Sequence, residues 1–230
     1  MLRALRRLGA VAALGAAAAV AAAPASAPVP ASASTSTSTS TSTSTASDAG
    51  LALLRQRLQL APVLQGEFEQ SKTLQGFRKP LLTRGEFLVA RGQGVWWHTR
   101  QPFESTLVVT RTRLFTRAAD GSSTDALDAQ AEPGLRQVNE LVFALLSADI
   151  EALVARFVVQ VEALGPGGWT MTLTPRDAQL AGFLARATLT GDRFVQGVRI
   201  DEARGDSTQI RFSHQRPSAA LDAADAARLR

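Results

Sequence analysis

Residues Gly85–Phe103, GEFLVARGQGVWWHTRQPF, read as two strands joined by a glycine-rich turn. Side chains on a strand alternate between faces, so Phe87, Val89 and Arg91 point the same way. Gly92-Gln93-Gly94 then supplies the positive-φ positions that a tight or bulged hairpin needs. The return strand carries Val95, Trp97 and Thr99 on one face and Trp96 and His98 on the other. Pro102 stops it, because proline cannot donate to a ladder. Arg91 is left at the end of an apolar face, opposite a Val/Trp pair. Two readings of it are open at this level: a solvated cation at a sheet edge, or a donor with a function.

Composition narrows the field around this hairpin. The chain has 230 residues, enough for one domain with a sizeable core. It contains no cysteine, so disulfides, thiolate chemistry and a lipidated N-terminal cysteine are excluded. Its two histidines, His98 and His214, make a histidine-based metal site improbable. The sequence thus offers no metal and no cofactor site. The formal charge of +5 includes Arg3, Arg6 and Arg7. Without them 22 basic residues stand against 20 acidic ones, and the basic balance no longer argues for nucleic acid.

Those three arginines open a segment with its own logic. Met1–Arg7 is positive, Leu8–Ala23 is a small-residue apolar run, and Ala23-Pro24-Ala25 is an A-x-A cleavage pattern. Residues 1–25 therefore read as a secretory signal peptide. An uncleaved anchor is the competing reading, but the run is short and alanine-dominated for one. Residues 26–47 follow as a linker in which Ser34–Thr45 alternate Ser and Thr. Such a tract has no apolar surface to offset its ordering entropy, and disorder is expected.

A single domain is expected over residues 48–230. Asp48 is a candidate N-cap, followed by Leu51, Leu54 and Leu58 at helical spacing. Leu64–Lys72 alternates Leu64, Gly66 and Phe68 against Gln65, Glu67 and Glu69. Leu74–Leu82 is a second, poorer strand containing Pro80, and the hairpin follows. Glu104–Thr110 puts Leu107 and Val109 on one face, and Leu114–Arg117 is a short strand before the polar loop Ala119–Glu132. Val138, Leu141, Val142, Leu145 and Leu146 recur at three and four and mark an amphipathic helix. Ser147 or Asp149 caps further turns through Val154. Strands resume over Phe157–Val161, Trp169–Leu173, Phe183–Thr190, Phe194–Ile200 and Thr208–Phe212. An alanine-rich, marginal helix spans Leu221–Leu229.

The order is helix, strands, helical insert, strands: a mainly β, α+β chain. Each one-faced strand must bury its apolar side. A few short helices cannot cover a flat sheet of ten to eleven strands. A curled antiparallel sheet forming an open, unclosed barrel lets them sit in its concavity as a plug or lid. A fully packed barrel satisfies the same pattern.

A resemblance separates these alternatives. Gly66-Glu67-Phe68-Glu69-Gln70, then Gly85-Glu86-Phe87 leading to Arg91, Val95-Trp96-Trp97, Gln101-Pro102 and Glu104-Ser105 resemble, in order and spacing, the periplasmic outer-membrane lipoprotein carrier family, LolA. Leu173-Thr174-Pro175-Arg176 is similar to its L-x-P-(K/R) motif, and the resemblance spans about Asp48–Ser213. The chain departs from it at Val108–Leu114, where the family's V-x-D-G-x-x-L is replaced by a segment without the Asp or the Gly, and in its Ser/Thr spacer.

The resemblance implies an open barrel with a helical lid and no enzymatic activity. It implies a periplasmic monomer that carries acylated lipoproteins from an inner-membrane release complex to an outer-membrane receptor. A different lipid, such as a glycolipid or a polyene-type product, is the alternative cargo. The acyl-binding positions it implies are Leu64 and Phe68 on the first strand, Phe87 and Val89 on the next, and Val95 and Trp97 on the return strand. Leu107 and Val109 follow, with Leu141 and Leu145 on the helix. Arg91 takes the place of an arginine that latches the lid through backbone carbonyls, and the last turn of a helix leaves such carbonyls unpartnered. No G-x-S-x-G, H-E-x-x-H or P-loop occurs. The neighbouring carboxylates Asp201 and Glu202 fall on opposite strand faces, which disfavours joint acid–base work.

Overall fold

A computed structural model describes residues 43–110, 114–118, 123–124 and 150–229. Eleven antiparallel strands form one sheet. They are β1 (Val63–Thr73), β2 (Leu81–Ala90), β3 (Gly94–Gln101), β4 (Ser105–Thr110), β5 (Leu114–Ala118) and β6 (Ser123–Thr124), then β7 (Phe157–Leu164), β8 (Gly168–Pro175), β9 (Leu184–Gly191), β10 (Val195–Glu202) and β11 (Ser207–Ser218). Four helices accompany them among the described residues: α1 (Thr43–Arg57), α2 (Ile150–Arg156), α3 (Ala178–Ala181) and α4 (Ala223–Arg228). The spatial order is β6-β5-β4-β3-β2-β1-β11-β10-β9-β8-β7. Two meanders are zipped together by β1 against β11, and the outer edges β6 and β7 do not pair. The sheet is an open barrel, as expected from the need to bury one face of each strand.

Its curl has a local cause. The ladder slips at Gly66 between β1 and β11, at Arg84/Gly85 between β2 and β3, and around Gln196 between β10 and β9. Bulges bend a strand and increase its twist, and glycine at a bulge allows close backbone approach. A Cβ on Gly85 would lie 1.9 Å from the His98 carbonyl oxygen. Only glycine fits where β2 and β3 approach so closely.

Both faces of the sheet carry apolar side chains. The concave face holds the main core, in which Leu51 and Leu54 of α1 and Leu58 just beyond it join Trp169, Met171 and Leu173 of β8 and the aromatic residues of β1–β3. The convex face holds a smaller core of Val63, Leu88, Ala90, Val108 and Phe115, closed by Leu229. Gln65 donates to Asp225, and Arg228 lies 4.7 Å above the Trp96 ring. The terminal helix is therefore docked on the sheet. It is not the marginal element that its alanine content suggests.

Other boundaries moved. α1 begins at Thr43, inside the expected linker, so Asp48 is an internal helical residue and not its cap. Leu74–Pro80 is a loop: Gly76 takes φ +85° and the ladder starts only at Leu81. β11 runs on to Ser218 because β1 supplies partners up to Val63, with one extra residue absorbed in a bulge at His214, whose φ is 52°. α3 was not anticipated; Asp177 caps it by accepting from the Leu180 N–H at 2.6 Å. The helix expected around Val138–Leu146 lies outside the described residues, as do residues 1–42.

Candidate functional site

The register of β1–β4 builds the concave face row by row. Leu64 stands beside Val89, Val95 and Val109 in one row. Gly66, Phe87, Trp97 and Leu107 form the next. Phe68 then faces Gly85 on one side and Phe212 of β11 on the other. The eight expected acyl-binding residues on strands thus share one face and one apolar cluster. Leu141 and Leu145, the two expected on the helix, lie outside the described residues.

Aromatic rings dominate this surface. Phe68 stacks on Trp97 with centroids 3.8 Å apart, and Phe212 meets Phe87 edge-on at 5.0 Å. The edge-on contact of Phe212 with Phe87 adds to the burial of the rings. Phe212 belongs to the site although sequence reasoning left it out; its alternation with Ile210 was the available signal. The Trp97 indole N–H is buried and has no hydrogen-bond partner among the described residues. An unpaired buried donor costs about 1–3 kcal/mol. Trp169, by contrast, is a satisfied core residue whose N–H donates to the Asp192 carbonyl at 2.6 Å.

The face is one-ended. Toward the β1–β2 loop it turns polar, with buried Gln70, Lys72 and Thr208. Lys72 Nζ lies 2.9 Å from Glu202 Oε1 across the sheet. At the other end, beside the β2–β3 turn, a small half-open cleft forms, with a volume of about 40 Å³. Leu58, Leu60, Leu64, Phe87, Val89 and Phe212 supply its apolar wall. The α1–β1 segment that forms its lip is pinned: the Gln59 N–H donates to the Arg193 carbonyl at 2.7 Å, and Arg57 donates to the Gly168 carbonyl. Leu58–Ala61, Phe194, Val195 and Gln215 also line the cleft and were missed by the sequence reading, because they come from connections and strand ends whose position only the fold fixes.

Arg91 sits at this mouth. Its backbone N–H donates to the Pro62 carbonyl at 2.8 Å and its half-buried side chain lines the cleft. Among the described residues no hydrogen bond from its guanidinium is found. Elsewhere the titratable groups are paired or scattered. His98 is on the convex face, half-buried, stacked on Trp96 at 5.1 Å and bonded to Thr106 Oγ1 at 2.9 Å. His214 meets Glu67 at 3.1 Å on the surface. Glu67 and Glu69 share the convex face, each with its own partner, and Glu69 takes Arg84 at 2.8 Å. Among the described residues no three His, Cys, Asp or Glu side chains converge as metal ligands. None of the described helices is long and apolar enough to cross a membrane.

The arrangement defines a class: an open antiparallel half-barrel, apolar within, with helices across its concavity and a cleft at one rim. The model of the outer membrane lipoprotein carrier protein LolA family matches residues 60–225, and the chain belongs to that family of carrier and binding proteins. Similar solved structures include a LolA superfamily protein from Nitrosomonas europaea at 10% identity, with 75% of this chain and 94% of that one covered and a TM-score of 0.41. A putative outer membrane lipoprotein-sorting protein domain from Vibrio parahaemolyticus is 12% identical, with 78% and 97% covered and a TM-score of 0.41. The Pseudomonas aeruginosa MucA/MucB complex matches at 16% identity, with 80% and 60% covered and a TM-score of 0.45. No curated protein matches the chain.

Proposed function

We propose that the protein is a periplasmic carrier that shields the acyl chains of lipoproteins on its concave aromatic face during transfer to the outer membrane. The supporting observation is the continuous apolar array from Leu64 to Val109, reached from a rim cleft whose lining includes one cation, Arg91. The protein acts as a monomeric binder and not as a catalyst. It receives cargo from an inner-membrane release complex and yields it to an outer-membrane receptor.

The energetics suit a carrier. Burying about 0.8 kcal/mol per methylene, a chain of about sixteen carbons gains on the order of 10 kcal/mol gross. The rings of Phe68, Trp97, Phe87 and Phe212 already pack on one another, so an acyl chain has to part them and shift the α1 cover. That reorganisation offsets part of the gain and keeps release possible. Once the rings part, the Trp97 N–H can donate to an ester or amide carbonyl at the head of the chain.

A different lipid is the second reading. The Val108–Leu114 segment, which lacks the Asp and Gly usual in the family pattern, favours it. Native mass spectrometry of the protein purified from the periplasm tests both. A bound acylated lipoprotein is the expected result; a glycolipid or other acyl adduct selects the second reading. A protein that carries no acyl species and takes up no fluorescent fatty-acyl probe overturns both.

A further inference from the structure

The end of the barrel opposite the cleft carries large apolar side chains in water. The β1–β2 loop and the first two residues of β2 read Leu74-Gln-Gly-Phe-Arg-Lys-Pro-Leu-Leu82, and Phe77 is 70% exposed, with Leu81 and Leu82 each 52% exposed. Phe103, 80% exposed, projects from the β3–β4 turn. The two connections are neighbours, since Arg84 at the start of β2 pairs with Gln101 at the end of β3. Phe183, also exposed, comes to the same end through its carbonyl, which accepts from the Ala203 N–H. Isolated exposed apolar residues are ordinary; several large ones gathered at one end mark a contact surface.

These side chains are held outward by an ordered backbone. The Gln75 N–H donates to Asp206 Oδ1 at 2.8 Å, and the Phe77 N–H donates to the Leu74 carbonyl at 3.1 Å. Interleaved with them are cations. Arg78 and Lys79 lie between Phe77 and Leu81, and Arg204 is in the β10–β11 turn against which Gln75 packs. No ion pair of these three is found among the described residues. The carboxylates of neighbouring strands are engaged: Glu69 by Arg84, Glu86 by Arg100 and Glu202 by Lys72. Glu104, beside Phe103, and Asp206, in the β10–β11 turn, are set against these three cations, so the end is greasy with a small positive excess.

The direction of α1 adds a second argument. Arg57 reaches the Gly168 carbonyl at the cleft end, whereas Gly50 packs on Val161, farther down β7. The chain accordingly enters α1 from the loop end. The residues that precede α1 therefore join the domain on the side of the exposed patch.

We infer that the β1–β2 loop and the β3–β4 turn dock this protein on the headgroup zone of an anionic lipid bilayer. Aromatic and leucine tips settle at the acyl boundary while flanking cations meet phosphate, a combination of two weak signals that gives reversible binding. A bilayer needs no shape-matched pocket, which suits tips protruding from two separate connections. Docked this way, the cleft faces the aqueous space.

Co-sedimentation of the exported protein with vesicles tests the inference. The parent is expected to bind vesicles containing phosphatidylglycerol, to ignore vesicles of phosphatidylcholine alone, and to release as salt rises. Arg78→Glu with Lys79→Glu is expected to lower partitioning more than tenfold, at about fivefold for each basic residue lost near an anionic surface. Phe77→Ser with Phe103→Ser is expected to lower it as well. Both pairs are exposed and remote from the cleft, so the urea midpoint and fatty-acyl probe uptake should stay at parental values. Equal vesicle binding by parent and both variants overturns the inference. So does an absence of vesicle binding by the parent, which would assign the patch to a protein partner.

Discussion

Gly66 stands directly across from Phe87 in the β1–β2 pair, and a Cβ on Gly66 would come within 2.8 Å of the ring. The next non-adjacent pair reverses the order, with Phe68 across from Gly85. Two Gly-Glu-Phe triplets thus run antiparallel, each glycine leaving room for the other strand's ring. The middle residues, Glu67 and Glu86, face each other on the convex side. Like charges directly opposite are unfavourable. His214 and Arg100 each meet one of them, at 3.1 and 2.8 Å.

Replacing Gly85 with alanine is the sharpest probe of the curl. Its Cβ would fall on a backbone carbonyl that cannot move without breaking the β2–β3 ladder. Gly85→Ala is expected to cost about 3 kcal/mol or more, and Gly66→Ala, which meets a ring edge and the Ser213 carbonyl, about 1–3 kcal/mol. Urea denaturation of the two variants decides; near-parental midpoints would show that the strands approach less closely than described.

The Lys72–Glu202 pair closes the polar end of the concavity. Removing one partner strands a buried charge, whereas removing both does not. With Glu202 still partly exposed, Glu202→Leu is expected to cost about 2 kcal/mol, and Lys72→Met with Glu202→Leu less than that. A double-mutant cycle reads the difference, and strict additivity would deny the coupling.

Arg91 is expected to govern ligand exchange and not folding. Its side chain is half-buried at the mouth, so Arg91→Leu should shift stability by no more than about 0.5 kcal/mol. The release rate of a bound fatty-acyl probe should change several-fold. Identical uptake and release by variant and parent would remove Arg91 from the site.

The terminal helix is expected to matter despite its six residues. Arg228→Ala removes the cation above Trp96 and the 3.1 Å pairing with Asp225, at about 1 kcal/mol. Leu229→Ala opens the convex core, at about 2 kcal/mol. Trp fluorescence during urea unfolding measures both; unchanged midpoints would mean that the helix is idle.

The strand faces were legible because alternation with period two is local. Phe87 with Val89, Val95 with Trp97 and Leu107 with Val109 could each be assigned to one face from their own segment. The same locality misled over Leu74–Leu82, an apolar run with Pro80 and Gly76 that reads as a poor strand: residues 74–80 make the exposed loop and only Leu81 and Leu82 join β2. It misled again at Ser213–Ser218, whose polar residues extend β11 only because β1 lies alongside to bond them.

What the sequence determined by itself was the kind of surface each element carries: which strand positions are apolar, where glycine permits a turn, and a mainly β chain with too few helices to cover a flat sheet. What only the tertiary structure decided was which surfaces meet. Phe212 joins Phe68, the α1–β1 connection becomes the lip of a cleft, and Leu229 seals the convex face. Those contacts join residues far apart along the chain, and their free energy depends on ladder register and bulge position, which no single segment encodes.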